Sequence, residues 1–273
     1  MVDEIIIHIG DHKAGSTTIQ QAFHENKVKA DEIFYPKAHK DSKVHHNHNW
    51  YARHTGTPLE EERFDDLKNQ IANTDKPKVV ISTAWYSYLK PNELDAHIKK
   101  HYAPITNNIR LIRYIRPAVE YWKSLYLEMV KIGEIRQDFT DFFRTTDYYP
   151  PLYHLGVSVH NEQTYNITQR PFISKALYKE DVIDDFMHFC VGDNYEILKE
   201  TRTNVALSAQ HLSMVRFMHT QFKNRNFDEL RDDGYMLAEA IVNHMKVDIP
   251  KQFKIPKQIA EELASDPDYI KGA

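Results

Sequence analysis

The sequence predicts an α/β fold of three layers, with a central parallel sheet of about five strands flanked by helices. Three observations point to it. Short runs rich in Ile, Val and Leu recur at residues 4–9, 78–82 and 109–115, the pattern of strands buried on both faces. Segments with helical spacing of apolar residues lie between them. The connections are long enough for crossovers, which in a parallel sheet are right-handed.

Taken in order, Glu4-Ile5-Ile6-Ile7-His8-Ile9 is a β-branched run closed by Gly10 and reads as the first strand. Residues 16–28 read as a helix with Ile19, Ala22 and Phe23 on one face. Ile33-Phe34-Tyr35 before Pro36 is a short strand, because the residue before a proline is pushed toward extended backbone. Residues 37–57 show no period and read as a loop, and 59–73 as a helix. Lys78–Ser82 is a third strand, and Pro91 starts a helix over 91–101. Ile109–Ile115 is a fourth strand, followed by a helix from Pro117 to about Ile132. Phe172–Tyr178 reads as the fifth strand. Helices near 181–190, 208–223 and 231–245 complete a single expected domain over 1–273, helical from about residue 180. Ser208 is the expected cap of the helix after it.

Composition narrows the function. With 41% hydrophobic and 12% aromatic residues, the chain can bury a core, which excludes global disorder. The balance of 35 Lys plus Arg against 39 Asp plus Glu, net −4, argues against non-specific nucleic-acid binding. No apolar run reaches the ~18–20 residues of a membrane span, and the start Met1-Val2-Asp3-Glu4 does not read as a signal peptide. Cys190, the single cysteine, excludes an intrachain disulfide and a thiolate metal cage. A cytoplasmic, soluble chain is the expectation. Cys190 ends an apolar helix face and is expected to be buried and inert, and Glu60-Glu61-Glu62-Arg63 reads as a solvated helix start.

The chemistry concentrates after the first strand. Gly10-Asp11-His12-Lys13-Ala14-Gly15-Ser16-Thr17-Thr18 joins a buried strand to a helix. Two glycines five apart, with small and hydroxyl residues at the helix start, aim backbone N–H groups and the helix dipole at one point. Lys13 adds a point charge, so the turn suits an anion such as phosphate. An ordinary turn capped by Ser or Thr also fits. The glycine spacing matches a Walker A loop, but Ser16 stands where that loop has lysine. The third strand also continues into Thr83-Ala84 without a magnesium-holding Asp. At the end of the fourth strand, Arg116 and Ser124 lie eight residues apart. They can meet at one anion site, or serve as a sheet-edge cap and a packed helix residue.

Lys13-Ala14-Gly15-Ser16-Thr17-Thr18 resembles the Lys-x-Gly-Thr/Ser-Thr/Ser loop of sulfotransferases, which use 3′-phosphoadenosine-5′-phosphosulfate (PAPS). The wider string from Ile7 to Gln20 resembles the opening of many bacterial-type members. The resemblance implies that the loop holds the 5′-phosphosulfate and that Arg116 and Ser124 bind the 3′-phosphate. Pro117 directly follows Arg116, where the family has proline one residue later. The segment Phe172–Asp181 resembles the family's fifth strand, which places Tyr178 near the adenine. Arg202 to Ser208 resembles a later nucleotide segment, which brings in Arg202 and Asn204. The implied fold is the P-loop-like sulfotransferase fold. The implied reaction needs no metal and yields adenosine 3′,5′-bisphosphate.

A base must take the acceptor's proton. Similar members place a Glu after the third strand, where this chain has Ala84. Others place a His after a Tyr-Pro strand end, and Val44-His45-His46-Asn47-His48 follows Tyr35-Pro36 here. His46 is the expected base, with His45 and His48 as substitutes; a solvated loop or a three-histidine metal site are the competing readings. The expected activity is transfer of the PAPS sulfuryl group to a hydroxyl or amine of a small metabolite or glycan. An ATP- and magnesium-dependent kinase-like protein, or a non-catalytic bisphosphate binder that has lost its Glu, are the alternatives.

Overall fold

The computed structural model describes residues 2–11, 13–39, 42, 45–146, 166–199, 207–221, 227–248 and 251–265. The chain divides into two compact units. The first comprises Met1–Pro117, Tyr149–Thr201 and Lys271–Ala273, and the second Ala118–Tyr148 and Arg202–Ile270.

The first unit carries a five-stranded sheet whose strands are all parallel. The strands are β1 (Glu4–Gly10), β3 (Ile33–Phe34), β4 (Lys78–Thr83), β5 (Ile109–Ile115) and β6 (Asn166–Pro171), in the order β3-β4-β1-β5-β6. A separate antiparallel ribbon joins β2 (Val28–Lys29) to β7 (Glu196–Ile197). Its helices are α1 (Ser16–His24), α2 (Asn49–Arg53), α3 (Glu60–Ala72), α4 (Pro91–His101) and α7 (Val182–Val191).

Alternate residues of each strand face opposite layers, and both layers are apolar. Ile5, Ile7 and Ile9 of β1 and Val79 and Ile81 of β4 pack with Phe64, Leu67 and Ile71 of α3 and with Leu94 and Ile98 of α4. Ile6, Val80 and Ile112 pack on the other side with Ile19 and Ala22 of α1 and Ile183, Phe186 and Cys190 of α7. The expected three-layer α/β fold is therefore present. β1 has β4 on one side and β5 on the other, so the loop after β1 opens at the switch point, where open sheets bind ligands.

Three expectations need correction. The fifth strand is Asn166–Pro171, not Phe172–Tyr178, whose residues form two short 3-10 turns at Ser174–Ala176 and Tyr178–Glu180. β6 lies at a sheet edge, and its sequence Asn-Ile-Thr-Gln-Arg-Pro carries the mixed polarity that an edge tolerates. The first helix stops at His24 rather than at 28, because Val28 and Lys29 leave it for the β2–β7 ribbon. The loop over 37–57 contains the short helix α2.

The second unit is helical where described: α5 (Ala118–Lys131), α6 (Phe139–Thr145), α8 (Ala209–Gln221), α9 (Phe227–His244) and α10 (Lys257–Ser265). Its core joins Tyr121, Trp122, Leu125 and Tyr126 with Phe139, Phe142, Leu212, Val215 and Leu263. Ser208 caps α8 as expected, since the amide of His211 donates to its hydroxyl at 3.1 Å. Among the described residues, no helix is long and apolar enough to cross a membrane.

Candidate functional site

The loop after β1 has the backbone of an anion cradle. Lys13 (φ 64) and Gly15 (φ 83) are both left-handed, and Ala14 between them is not. Such alternation points successive N–H groups to one side. The helix cap of α1 is Gly15, which has no side chain to accept from the cap amides. The Ser/Thr-capped turn is thereby set aside. Ser16 lies inside the helix, and its hydroxyl donates instead to the carbonyl of Asp11 at 3.4 Å. Ala14 N–H donates to the same carbonyl at 3.3 Å, closing the loop. Lys13 is half-buried, Thr17 exposed and Thr18 half-buried at the helix start.

Both glycines are needed. A Cβ on Gly10 would lie 2.2 Å from Ser16 Oγ, and one on Gly15 would lie 2.6 Å from the ring of Phe172. Gly15→Ala therefore meets both a steric clash and a left-handed backbone. It is expected to destabilise the protein by roughly 1–3 kcal/mol, read as a lowered melting temperature. A melting temperature equal to that of the unmodified chain would mean the loop does not need this conformation.

Beneath the loop lies a buried ion pair absent from the sequence-based site. Arg113 is 1% exposed and Asp11 1% exposed. Arg113 Nε lies 3.1 Å from both carboxylate oxygens, and Nη2 lies 3.0 Å from Oδ1. Burial raises the Asp11 pKa, and the Arg113 guanidinium opposes that rise. An arginine among Leu111, Ile112, Tyr114 and Ile115, in the buried half of β5, was the available signal, since a buried charge demands a partner.

The end of β4 is occupied by the loop that follows β3. His48 is fully buried. Its Nε2 donates to the carbonyl of Pro36 at 2.7 Å, and its Nδ1 accepts from the amide of Ser82 at 2.9 Å. Both ring nitrogens are engaged by backbone, and burial lowers its pKa to about 4. This histidine is a neutral bracket between two strand ends, and the three-histidine metal site loses a ligand. Asn49 Oδ1 accepts from Thr83 Oγ1 at 2.9 Å and from the amide of Ala84 at 3.0 Å. Asn49 thus organises the turn at which the resemblance expects a glutamate.

His46 is half-buried and His45 exposed. The His46 pKa is lowered, first by burial and then by the neighbouring His24, with Glu25 opposing. Its carbonyl accepts from Tyr35 Oη at 2.9 Å, and its ring centre lies 6.5 Å from that of His24. His24 is the last residue of α1, whereas Lys13 precedes the first. A nine-residue helix spans about 13 Å.

Arg116 follows the last residue of β5, and its guanidinium lies 4.7 Å from the centre of the Phe172 ring. Ser124 is half-buried in the second turn of α5, within the second unit. Tyr178 lies on a 3-10 turn, stacked on His188 with ring centres 4.0 Å apart and planes at 14°. Its amide donates to Asp185 Oδ1 at 2.9 Å, and Asp185 Oδ2 accepts from Tyr114 Oη at 2.6 Å. Asp185, another residue that sequence reasoning missed, therefore fixes where Tyr178 stands. Arg202 and Asn204 lie outside the described residues.

Other expectations divide. Cys190 is 2% exposed, and burial pushes its thiol pKa up, so it is inert as expected. The Glu60–Arg63 run is solvated only in part: Glu61 and Glu62 are exposed as expected, but Glu60 is 6% exposed and Arg63 7%. Glu60 is drawn inward by His97 and His101, with which its Oε1 makes contacts of 2.9 and 2.8 Å.

The sequence matches no protein-family model and no curated protein. Among solved structures, the chain is similar to a sulfotransferase from Alicyclobacillus acidocaldarius, at 12% identity and a TM-score of 0.47, over 89% of this chain and 96% of that one.

Proposed function

We propose that this chain is a sulfotransferase that moves the sulfuryl group of PAPS to a hydroxyl or amine of a small metabolite or glycan. The observation that carries the reading is the cradle after β1: left-handed Lys13 and Gly15 ahead of a helix whose cap offers no side-chain acceptor. That cradle fits a 5′-phosphosulfate, because backbone N–H groups and a helix N-terminus favour an anion. Thr83-Ala84 after β4 supplies no carboxylate for magnesium, which disfavours the kinase-like alternative.

In this reading each residue has a physical task. The loop amides, that of Ser16 among them, and the hydroxyls of Thr17 and Thr18 hold the 5′ end. Lys13 neutralises charge that develops on the leaving phosphate oxygen as the acceptor attacks in line. Arg116 and Ser124 bind the 3′-phosphate, Arg116 through a planar fork of donors. Tyr178 offers an aromatic face to the adenine, and Arg202 and Asn204 add polar contacts to the nucleotide. His46 accepts the proton of the acceptor. A sulfuryl group carries less charge than a phosphoryl group, so fixed cations suffice without a metal. One observation favours a second reading, a bisphosphate binder without activity: Ala84 stands where a glutamate base is expected, and its amide is held by Asn49.

The test is a nucleotide panel with and without magnesium. Adenosine 3′,5′-bisphosphate is expected to bind without metal and at least tenfold more tightly than ADP. Arg116→Ala is expected to weaken bisphosphate binding by roughly 2–4 kcal/mol, because a phosphate loses a charge-assisted partner. Ser124→Ala should cost about 1 kcal/mol. Equal affinities for ADP and the bisphosphate would overturn the 3′-phosphate assignment. Tight bisphosphate binding with no transfer from PAPS across a broad acceptor panel would favour the second reading.

A further inference from the structure

Three side chains on the α3–α4 face of the first unit converge away from the loop. His97 and His101 are four residues apart on α4, so both project from one side of the helix. Glu60 is the first residue of α3. Glu60 Oε1 lies 2.9 Å from His97 Nδ1 and 2.8 Å from His101 Nε2. One ligand atom from each residue falls within 4.8 Å of the others, and all three residues are buried. We propose that Glu60, His97 and His101 form a binding site for a divalent transition-metal ion such as zinc, which ties α3 to α4.

The donor set is suited to such an ion. Two imidazole nitrogens and one carboxylate oxygen are ligands that zinc and cobalt accept, with a fourth position left for water. Around a tetrahedral ion with bonds of about 2.0–2.1 Å, ligand atoms lie roughly 3.3–3.4 Å apart. Each contact would have to open by about half an ångström to admit the ion.

The surrounding groups leave the three ligand atoms facing one another. His97 Nε2 lies 2.9 Å from Tyr86 Oη, which lies 2.7 Å from Tyr102 Oη. With its proton on Nε2 and Tyr86 as acceptor, His97 presents a bare Nδ1, the outer support usual for a metal-bound imidazole. Glu60 Oε2 accepts from the amide of Gly56 at 2.9 Å and lies 3.4 Å from Lys100 Nζ. That leaves Oε1 for the cluster. Thr55 Oγ1 donates to the carbonyl of Ala52 at 2.8 Å and lies 3.3 Å from His97 Nδ1, so an oxygen lone pair faces the same region. Phe64 stacks on His101 with ring centres 3.9 Å apart, which keeps that side dry.

Two features set the strength. His101 Nδ1 is buried with no hydrogen-bond partner among the described residues. The site therefore lacks outer support on that ligand, a loss that typically lowers affinity 10–100-fold. Lys100 also places a positive charge beside the carboxylate. Micromolar rather than nanomolar affinity follows.

The competing account is a metal-free network in which both histidines donate N–H to Glu60 Oε1. The experiment is metal titration of the full chain after dialysis against chelator, with zinc and cobalt as probes. Bound metal is counted by elemental analysis, and the cobalt absorption spectrum is recorded. The expected result is one ion per chain, an intense visible cobalt band of low coordination number, and a raised melting temperature with zinc. His97→Gln and His101→Gln should each weaken binding at least 100-fold, while His244→Ala, on an exposed residue, should leave it unchanged. If the glutamine variants fail to fold, the wild-type stoichiometry and cobalt spectrum decide alone. No retained ion at submillimolar free zinc, or equal binding by the folded glutamine variants, would overturn the site. The result is independent of the bisphosphate panel, so either proposal can fail alone.

Discussion

Asp11→Ala is expected to destabilise the protein by about 3–5 kcal/mol, because it leaves the buried guanidinium of Arg113 without its counter-charge. Neither side chain has access to water: both are 1% exposed. Urea unfolding of the single variants and of an Asp11→Ala, Arg113→Met pair forms the measurement. The double variant should recover most of the loss, since replacing both members of a buried pair by apolar groups is often close to neutral. The single Asp11→Ala should also bind the bisphosphate more weakly, because the Asp11 carboxylate anchors to Arg113 the backbone whose carbonyl closes the loop onto Ala14 and Ser16. A loss below about 1 kcal/mol would instead be the signature of a solvated pair.

The sheet was legible where burial on both faces forces an apolar run. Ile5-Ile6-Ile7 and Val79-Val80-Ile81 are fully buried in the central strands, so their composition follows from position. The same logic failed at the edge. β6 pairs only with β5 and needs no apolar run, while the more hydrophobic Phe172–Tyr178 attracted the strand assignment. Ile173 in that stretch is 46% exposed. At Ile173 hydrophobicity marks neither burial nor strand.

The site was legible to a different degree. Glycine spacing exposed the cradle, because only a left-handed turn needs Gly15 at that place. The pairings were not legible, since they depend on which residues the fold brings together. Asp11 meets Arg113 because β1 and β5 are neighbours, with Ile9 beside Arg113 in the register. Glu60 sits in a run of acids whose composition reads as solvated. Only the packing of α3 beside α4 turns it toward His97 and His101, although the four-residue spacing of those histidines was visible in the sequence. His48 and His46 are two residues apart in one loop, yet one is fixed by backbone at both nitrogens and the other is not.

That difference makes His46→Ala the sharpest test of catalysis. On the proposed reading it is expected to lower turnover by about 10²–10⁴-fold, the usual loss for a general base. Affinity for the bisphosphate should not change, because His46 has no part in the phosphate cradle. Geometry adds a requirement on the proton transfer. His46 packs by the last residue of α1 and the cradle precedes the first, whereas a base must reach the attacking atom at the cradle directly or through a water, so His46 can serve only through such a relay. The pH profile carries the sign. Only a neutral imidazole can take a proton, and burial holds the His46 pKa below its ordinary value. The wild-type kcat/KM should therefore rise with pH on the acid side of about 6.5 and be level from neutrality upward. His46→Ala should flatten that rise as well as lower the plateau. His48→Gln offers a control: it should lower stability through loss of the strand-end bracket, without removing the acid-side inflection. Undiminished turnover in a folded His46→Ala variant, with the inflection intact, would assign the proton to another group and leave the cradle assignment standing.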